Sequence, residues 1–159
     1  MATPTYTLID STTLTSSASS ITFSSISGSY RDLVLVLSGP GFGTSNNLAF
    51  RANSDTGSNY SYVRMEGNGS STNSSSTTST SGRAGFVSSG QWNVILQFQD
   101  YSATDKHKSV LARANDATHR VEASATRWAN TNAITSVTLI TDTSNYPVGT
   151  TAYLYGIEA

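Results

Sequence analysis

The feature that most restricts this chain is a series of short runs in which apolar and polar side chains alternate, separated by Gly, Ser, Asn or Asp. In "QWNVILQFQ" the side chains of Trp92, Val94, Leu96 and Phe98 alternate with Asn93, Ile95 and Gln97. Successive side chains of an extended strand point to opposite faces, so the first four share one face and bury it. The same reading predicts strands at 6–9, 20–23, 32–38, 48–52, 60–66, 92–99, 109–114, 120–128, 134–140 and 151–157. The run "DLVLVLS" is apolar on both faces, which suits the middle of a sheet. Helical spacing is hard to find, because Ser, Thr, Asn and Gly interrupt most windows. About ten short strands at close spacing are the pattern of an all-β fold, an antiparallel sandwich or barrel, and the expectation is a jelly-roll-like β-sandwich.

With 159 residues the chain is near the usual size of one domain. A domain of that size buries roughly 70% of the surface its unfolded chain exposes. The stretch 67–82, "GNGSSTNSSSTTSTSG", contains only Gly, Asn, Ser and Thr. A boundary there would leave flanks of 66 and 77 residues, with no disulfide to staple either. The expectation is therefore one sandwich domain spanning 1–159, with 67–82 as a long flexible Ser/Thr-rich loop.

Ser and Thr together number 51, whereas charged residues make up 12% and the net charge is -1. Hydroxyls and amides thus carry the hydration of the surface. Without clustered basic residues there is little field to attract a phosphate backbone, and nucleic acid is not expected as a partner. The absence of cysteine excludes disulfides and thiolate metal sites. No cofactor is expected. The beginning "MATPTYTLID" lacks a basic start with an apolar core, and the longest apolar run is 33–37, so no membrane association is expected.

Each motif with a chemical meaning has a simpler structural one. "GPGFG" follows a strand, but a dinucleotide fingerprint needs glycine at position 44, which is Thr44, and a helix where "SNNLAFRANSD" reads as turn and strand. Glu66, Glu122 and Asp100 are isolated carboxylates; only the fold would bring two of them to glycosidase spacing. His107 and His119 are the only histidines, and with 28 serines a triad can be drawn at will, which makes it uninformative. "DTGSN" at 55–59 departs from the calcium-loop pattern and lacks its distal Glu. No catalytic, metal or cofactor residue is assigned, and the chain is expected not to be an enzyme. The candidate partner-contact residues are Pro4 and Tyr6 in an N-terminal arm, with Tyr101, Lys106, His107 and Lys108 in the charged segment "DYSATDKHKS". Tyr60, Tyr62, Tyr153 and Tyr155 offer rings for sugar stacking, or for cross-strand pairs.

The phrases "TYTLIDSTTLTSSASSITFSSI", "YRDLVLVLS", "DTGSNYSYVRMEGNGSS", "DYSATDKHKSVLAR" and "RWANTNAITSVTLITDTSNYPVGTTAYLYGI" cover nearly the whole chain. Together they resemble a family of small virion structural proteins of tailed bacteriophages, common in phages of cyanobacteria and other aquatic bacteria. That resemblance implies a β-sandwich module on the outer capsid surface, a decoration (cement) protein. Its implied partners are the major capsid protein and copies of itself in a trimer, met through a flat apolar or Tyr-bearing patch. The alternative it implies is a tail or tail-fibre subunit whose loops contact a host glycan. It brings no catalytic residues.

Overall fold

The structure is a computed structural model and describes residues 5–118 and 120–158. The described residues form strands only: β1 (Tyr6–Thr13), β2 (Ser20–Phe23), β3 (Asp32–Gly39), β4 (Asn46–Ala52), β5 (Tyr60–Gly67), β6 (Thr72–Ser79), β7 (Gly82–Val87), β8 (Trp92–Gln99), β9 (Lys108–Asp116), β10 (Val121–Trp128), β11 (Val137–Thr141) and β12 (Thr151–Ile157). They make an eight-stranded sheet in the order β1-β12-β3-β8-β9-β10-β5-β6 and a four-stranded sheet in the order β2-β11-β4-β7. Every ladder is antiparallel. The chain is an all-β, jelly-roll-like sandwich.

Alternation builds the core. Leu33, Leu35 and Leu37 of β3, Val94, Leu96 and Phe98 of β8, and Ala152 and Leu154 of β12 point inward from the large sheet and are buried. Ile21, Phe23, Leu48, Phe50, Val137 and Leu139 answer them from the small sheet. Each such Val, Leu, Ile or Phe side chain contributes about 1.5–3 kcal/mol when fully buried. Phe50 sits at the centre, edge-on to Phe98 at 5.2 Å and to Tyr60 at 6.1 Å. Tyr60 lies in register with Trp128 and stacks on it at 6.5 Å. Burial pushes the Tyr60 phenol up to about 12, so it stays a neutral donor and accepts the Ala52 N–H at 3.0 Å.

Two strands lie where none was expected. The 67–82 stretch is not a long loop: β6 (Thr72–Ser79) occupies it and pairs with β5 from Gly67↔Thr72 to Tyr60↔Ser79 without a register shift. The turn is built by Asn68, whose side-chain oxygen accepts the N–H groups of Ser70 at 3.1 Å and Ser71 at 2.8 Å, while Gly69 takes φ +85. Polar composition does not make this stretch mobile, because Thr suits a pleated surface and an Asn-Gly pair is a hairpin signal. The other unexpected strand, β7 (Gly82–Val87), is glycine-rich and bulged against β4 between Leu48 and Ala49. In "GPGFG" a Cβ on Gly41 would fall 1.6 Å from the Ser89 carbonyl oxygen. That glycine serves a close approach of two backbones rather than a phosphate.

Candidate functional site: the outer face of the large sheet

The side chains of the large sheet that point away from the core fall into cross-strand rows. One runs Ser74–Met65–Ala123–Arg113–Ile95–Val36–Tyr153 from β6 to β12. The next runs Ser76–Val63–Ala125–Leu111–Gln97–Val34–Tyr155 and ends at Leu8 of β1. Most of these side chains are apolar, and Arg113 is the one charged residue among them. Met65 is 67% exposed, Val63 56%, Leu111 55% and Leu8 52%. Flanking rows are polar: Thr78–Ser61–Arg127–Ser109–Gln99 lies on one side. On the other lies Thr72–Gly67–Val121–Asn115–Asn93–Ser38–Thr151, with Val121 its apolar exception. An apolar centre inside a polar rim is the anatomy of a protein-binding surface.

The face is hollowed. Ser74 of β6 and Ile95 of β8 line the same two adjoining depressions, of about 900 and 870 Å³, whose floor includes Ala123. Small side chains on β10 between longer ones on β5 and β9 produce the hollow. A third depression of about 270 Å³ continues toward β1, lined by Val34, Gln97, Arg113, Tyr155 and Tyr6. There Tyr6 meets Tyr155 edge-on at 6.3 Å, and Tyr153 stacks on Tyr155 at 6.4 Å.

The structure separates the residues singled out from sequence. Tyr6 is exposed and belongs to this face. Pro4 lies outside the described residues, as does His119. Lys106 and His107 are exposed on the β8–β9 loop; the Lys106 ammonium is 3.3 Å from Asp100, a solvent-facing ion pair. Tyr101 and Lys108 are not surface contacts. Tyr101 is fully buried, its hydroxyl donating to the Ser27 carbonyl and its own carbonyl accepting the Ile134 N–H at 2.9 Å. Lys108 opens β9 on the inward phase and is 1% exposed, donating to the carbonyls of Lys106 at 3.0 Å and Thr131 at 3.2 Å. Burial holds its pKa below the usual lysine value. Of the tyrosines offered for stacking, Tyr60 is buried in the core.

The carboxylates are occupied by structural partners. Arg83 of β7 donates to both Glu122 oxygens, at 2.6 and 2.7 Å, and with side-chain exposures of 7% and 1% the pair joins the small sheet to the large one. Glu66, in register with Glu122, takes Arg64 at 2.9 Å and Arg120 at 3.0 Å. Asp100 lies away from both, in the loop after β8. Asp55 accepts from Trp128 Nε1 at 2.7 Å, the Gly57 N–H at 2.8 Å and Asn59 at 2.9 Å. The "DTGSN" oxygens therefore staple a turn to the end of β10. Among the described residues no group of three or more His, Asp or Glu could hold a metal ion. Gly39 ends β3 and the chain passes through Gly41 and Gly43 into β4 at Asn46, a strand where a dinucleotide site needs a helix. The outward apolar rows were the feature missed in the sequence; their signal is the out-of-phase apolar residues Val63, Met65 and Leu111.

The fold and this face define a two-sheet β module with a hollow, apolar outer surface. No protein-family model matches the chain, and no curated protein matches it. Among solved structures, an exo-inulinase from Aspergillus awamori aligns with a TM-score of 0.48 at 17% identity, over 96% of this chain and 29% of that one. A marine alginate lyase from Aplysia kurodai aligns with a TM-score of 0.40 at 14% identity, over 83% and 71%. A galectin of Caenorhabditis elegans gives 0.37 at 8%, over 94% and 96%. At these values the alignments bear on neither the activity nor the partners of this chain. The chain spans less than a third of the inulinase, 29%.

Proposed function

We propose that this chain is a non-catalytic structural protein of a phage virion, a capsid decoration (cement) protein that grips major capsid proteins with the outer face of its large sheet. The observation that carries this reading is the pair of apolar rows through Met65, Ala123 and Ile95 and through Val63, Ala125 and Leu111, bounded by Ser, Thr and Asn rows. On a surface otherwise hydrated by hydroxyls, such a stripe is costly to leave in water, and a protein partner offsets that cost. The stabilising mechanism is linkage. A module that binds the assembled shell but not its dissociated subunits draws the equilibrium toward the shell.

The test is rebinding. Purified protein is added to phage capsids depleted of it, and bound protein is read by co-sedimentation and by the temperature at which the capsid comes apart. The native chain should bind saturably and raise that temperature. Met65→Lys with Leu111→Lys should abolish both effects while leaving the circular dichroism spectrum unchanged, because both side chains are more than half exposed, at 67% and 55%. Equal binding by native and variant chains would rule out this face.

A second reading, a tail or fibre subunit contacting a host glycan, draws on the Tyr6, Tyr153 and Tyr155 cluster beside Gln97 and Arg113. Aromatic rings next to an amide and a guanidinium suit a sugar's apolar face and hydroxyls. Binding to purified host surface polysaccharide that is lost in Tyr155→Ala, with no binding to capsids, would establish this reading in place of the first.

A further inference from the structure

The four sheet edges among the described strands are unequal. The β1 edge carries a register shift between Leu8 and Asp10 and the charge of Asp10. The β2 edge is only 4 residues long, and the β7 edge is broken by the irregularity opposite Leu48 and Ala49. Short length, bulges and charges are the ordinary means by which proteins keep sheet edges from pairing. The β6 edge has none of them. It is 8 residues long, "TNSSSTTS", with no charge, proline or glycine. Its ladder to β5 is continuous, and residues 72–78 are exposed. Such a strand leaves every other backbone N–H and C=O directed outward and unpaired, an open template for another strand.

We propose that β6 is a self-association edge, pairing antiparallel with β6 of a second copy about a two-fold axis. The composition selects the occupant. A strand of hydroxyls and one amide meets its own copy with no like charges opposed, and Thr and Ser facing one another across an antiparallel ladder form favourable pairs. The charges nearest the edge, Arg64 and Glu66 on β5, neutralise each other at 2.9 Å. Pairing of β6 with β1 of a neighbour would meet the irregularity at Leu8 and Asp10, and would grow an open chain instead of a closed dimer. In the two-fold arrangement the large sheets run on from copy to copy, and the hollows walled by Ser74 and Ser76 become neighbours across the seam. The assembly is a dimer in place of the trimer that the family resemblance implies. It holds whatever the outer face binds.

The experiment is light scattering with size exclusion, on the full chain and two charge variants. The native protein should elute with twice the 16.8 kDa chain mass. A variant carrying Ser74→Lys, Ser76→Lys and Thr78→Lys should be monomeric, and so should its counterpart with Glu at the same three positions. Both should keep the native circular dichroism spectrum. Mixing the two variants at low salt should restore the dimer mass, and added salt should dissolve it again. A native chain that is monomeric at its highest soluble concentration overturns the proposal, as does a native trimer or a lysine variant that stays dimeric.

Discussion

Glu122→Ala is expected to remove about 3–5 kcal/mol of folding stability, a large part of the ~5–15 kcal/mol that a domain possesses. The loss comes less from the missing attraction than from what remains. Arg83 is held between the sheets with its side chain 7% exposed, and without Glu122 its guanidinium keeps its charge there with the neutral Asn47 amide oxygen as its remaining acceptor. Its backbone cannot simply withdraw, because the Arg83 N–H donates to Thr126 at 3.2 Å and its carbonyl accepts from Ser124 at 3.3 Å. Replacing both members, Arg83→Met with Glu122→Leu, should return most of the stability, since two apolar groups need no counter-charge. Urea denaturation of the native chain and these two variants is the measurement. A single substitution costing under about 1 kcal/mol would mean that water and the Asn47 amide, which already accepts from Arg83, suffice to solvate the guanidinium without Glu122.

Trp128→Ala should be comparably severe, about 3–5 kcal/mol, because it empties the space stacked on Tyr60 at 6.5 Å and withdraws a hydrogen bond from Asp55. Trp128→Phe separates the two effects by keeping much of the ring and losing the indole N–H. The Trp128 hydrogen bond is the main cause that holds the Asp55 carboxyl below its ordinary value, against the opposing effect of burial and with help from Asn59 and Gly57. A carboxylate with a lowered folded pKa contributes stability that is fully present above the unfolded value of about 3.9 and is lost as pH falls through the folded one. The phenylalanine variant should therefore be less stable than native at pH 7. It should also lose less further stability than native on acidification below about pH 4. Asp116 remains as an internal reference: burial alone would raise it, but donors from Thr118, Ser88 and Arg120 outweigh burial and lower it in both proteins. Parallel acid profiles for native and Trp128→Phe would show that the indole does not hold Asp55.

The core was legible because alternation is a direct consequence of strand geometry. Trp92, Val94, Leu96 and Phe98 share one buried face as their spacing requires, and β2, β8 and β12 begin and end where the pattern does. Composition misled where it was allowed to replace pattern. The stretch 67–82 has no apolar residue to alternate, yet the Asn68-Gly69 turn followed by Ser and Thr forms a hairpin, its backbone hydrogen bonds being indifferent to hydrophobicity. In β7 glycines are packing requirements imposed by distant residues, which no local reading contains. Lys108 shows the limit of reading charge as exposure, since its position on β9 puts its stem inward and two carbonyls take its ammonium. The outer face is intermediate. Val63, Met65 and Leu111 are visible as apolar residues on the wrong phase, but only the register of β5, β10 and β9 assembles them into one surface.

The proposed seating of this chain on the shell as a decoration protein can be read from its copy number in purified particles, measured by quantitative mass spectrometry against the major capsid protein. A decoration role requires a simple fixed ratio to the major capsid protein, preserved when tails are sheared from heads and the head fraction is measured alone. A handful of copies per particle that leave with the tail fraction would contradict it.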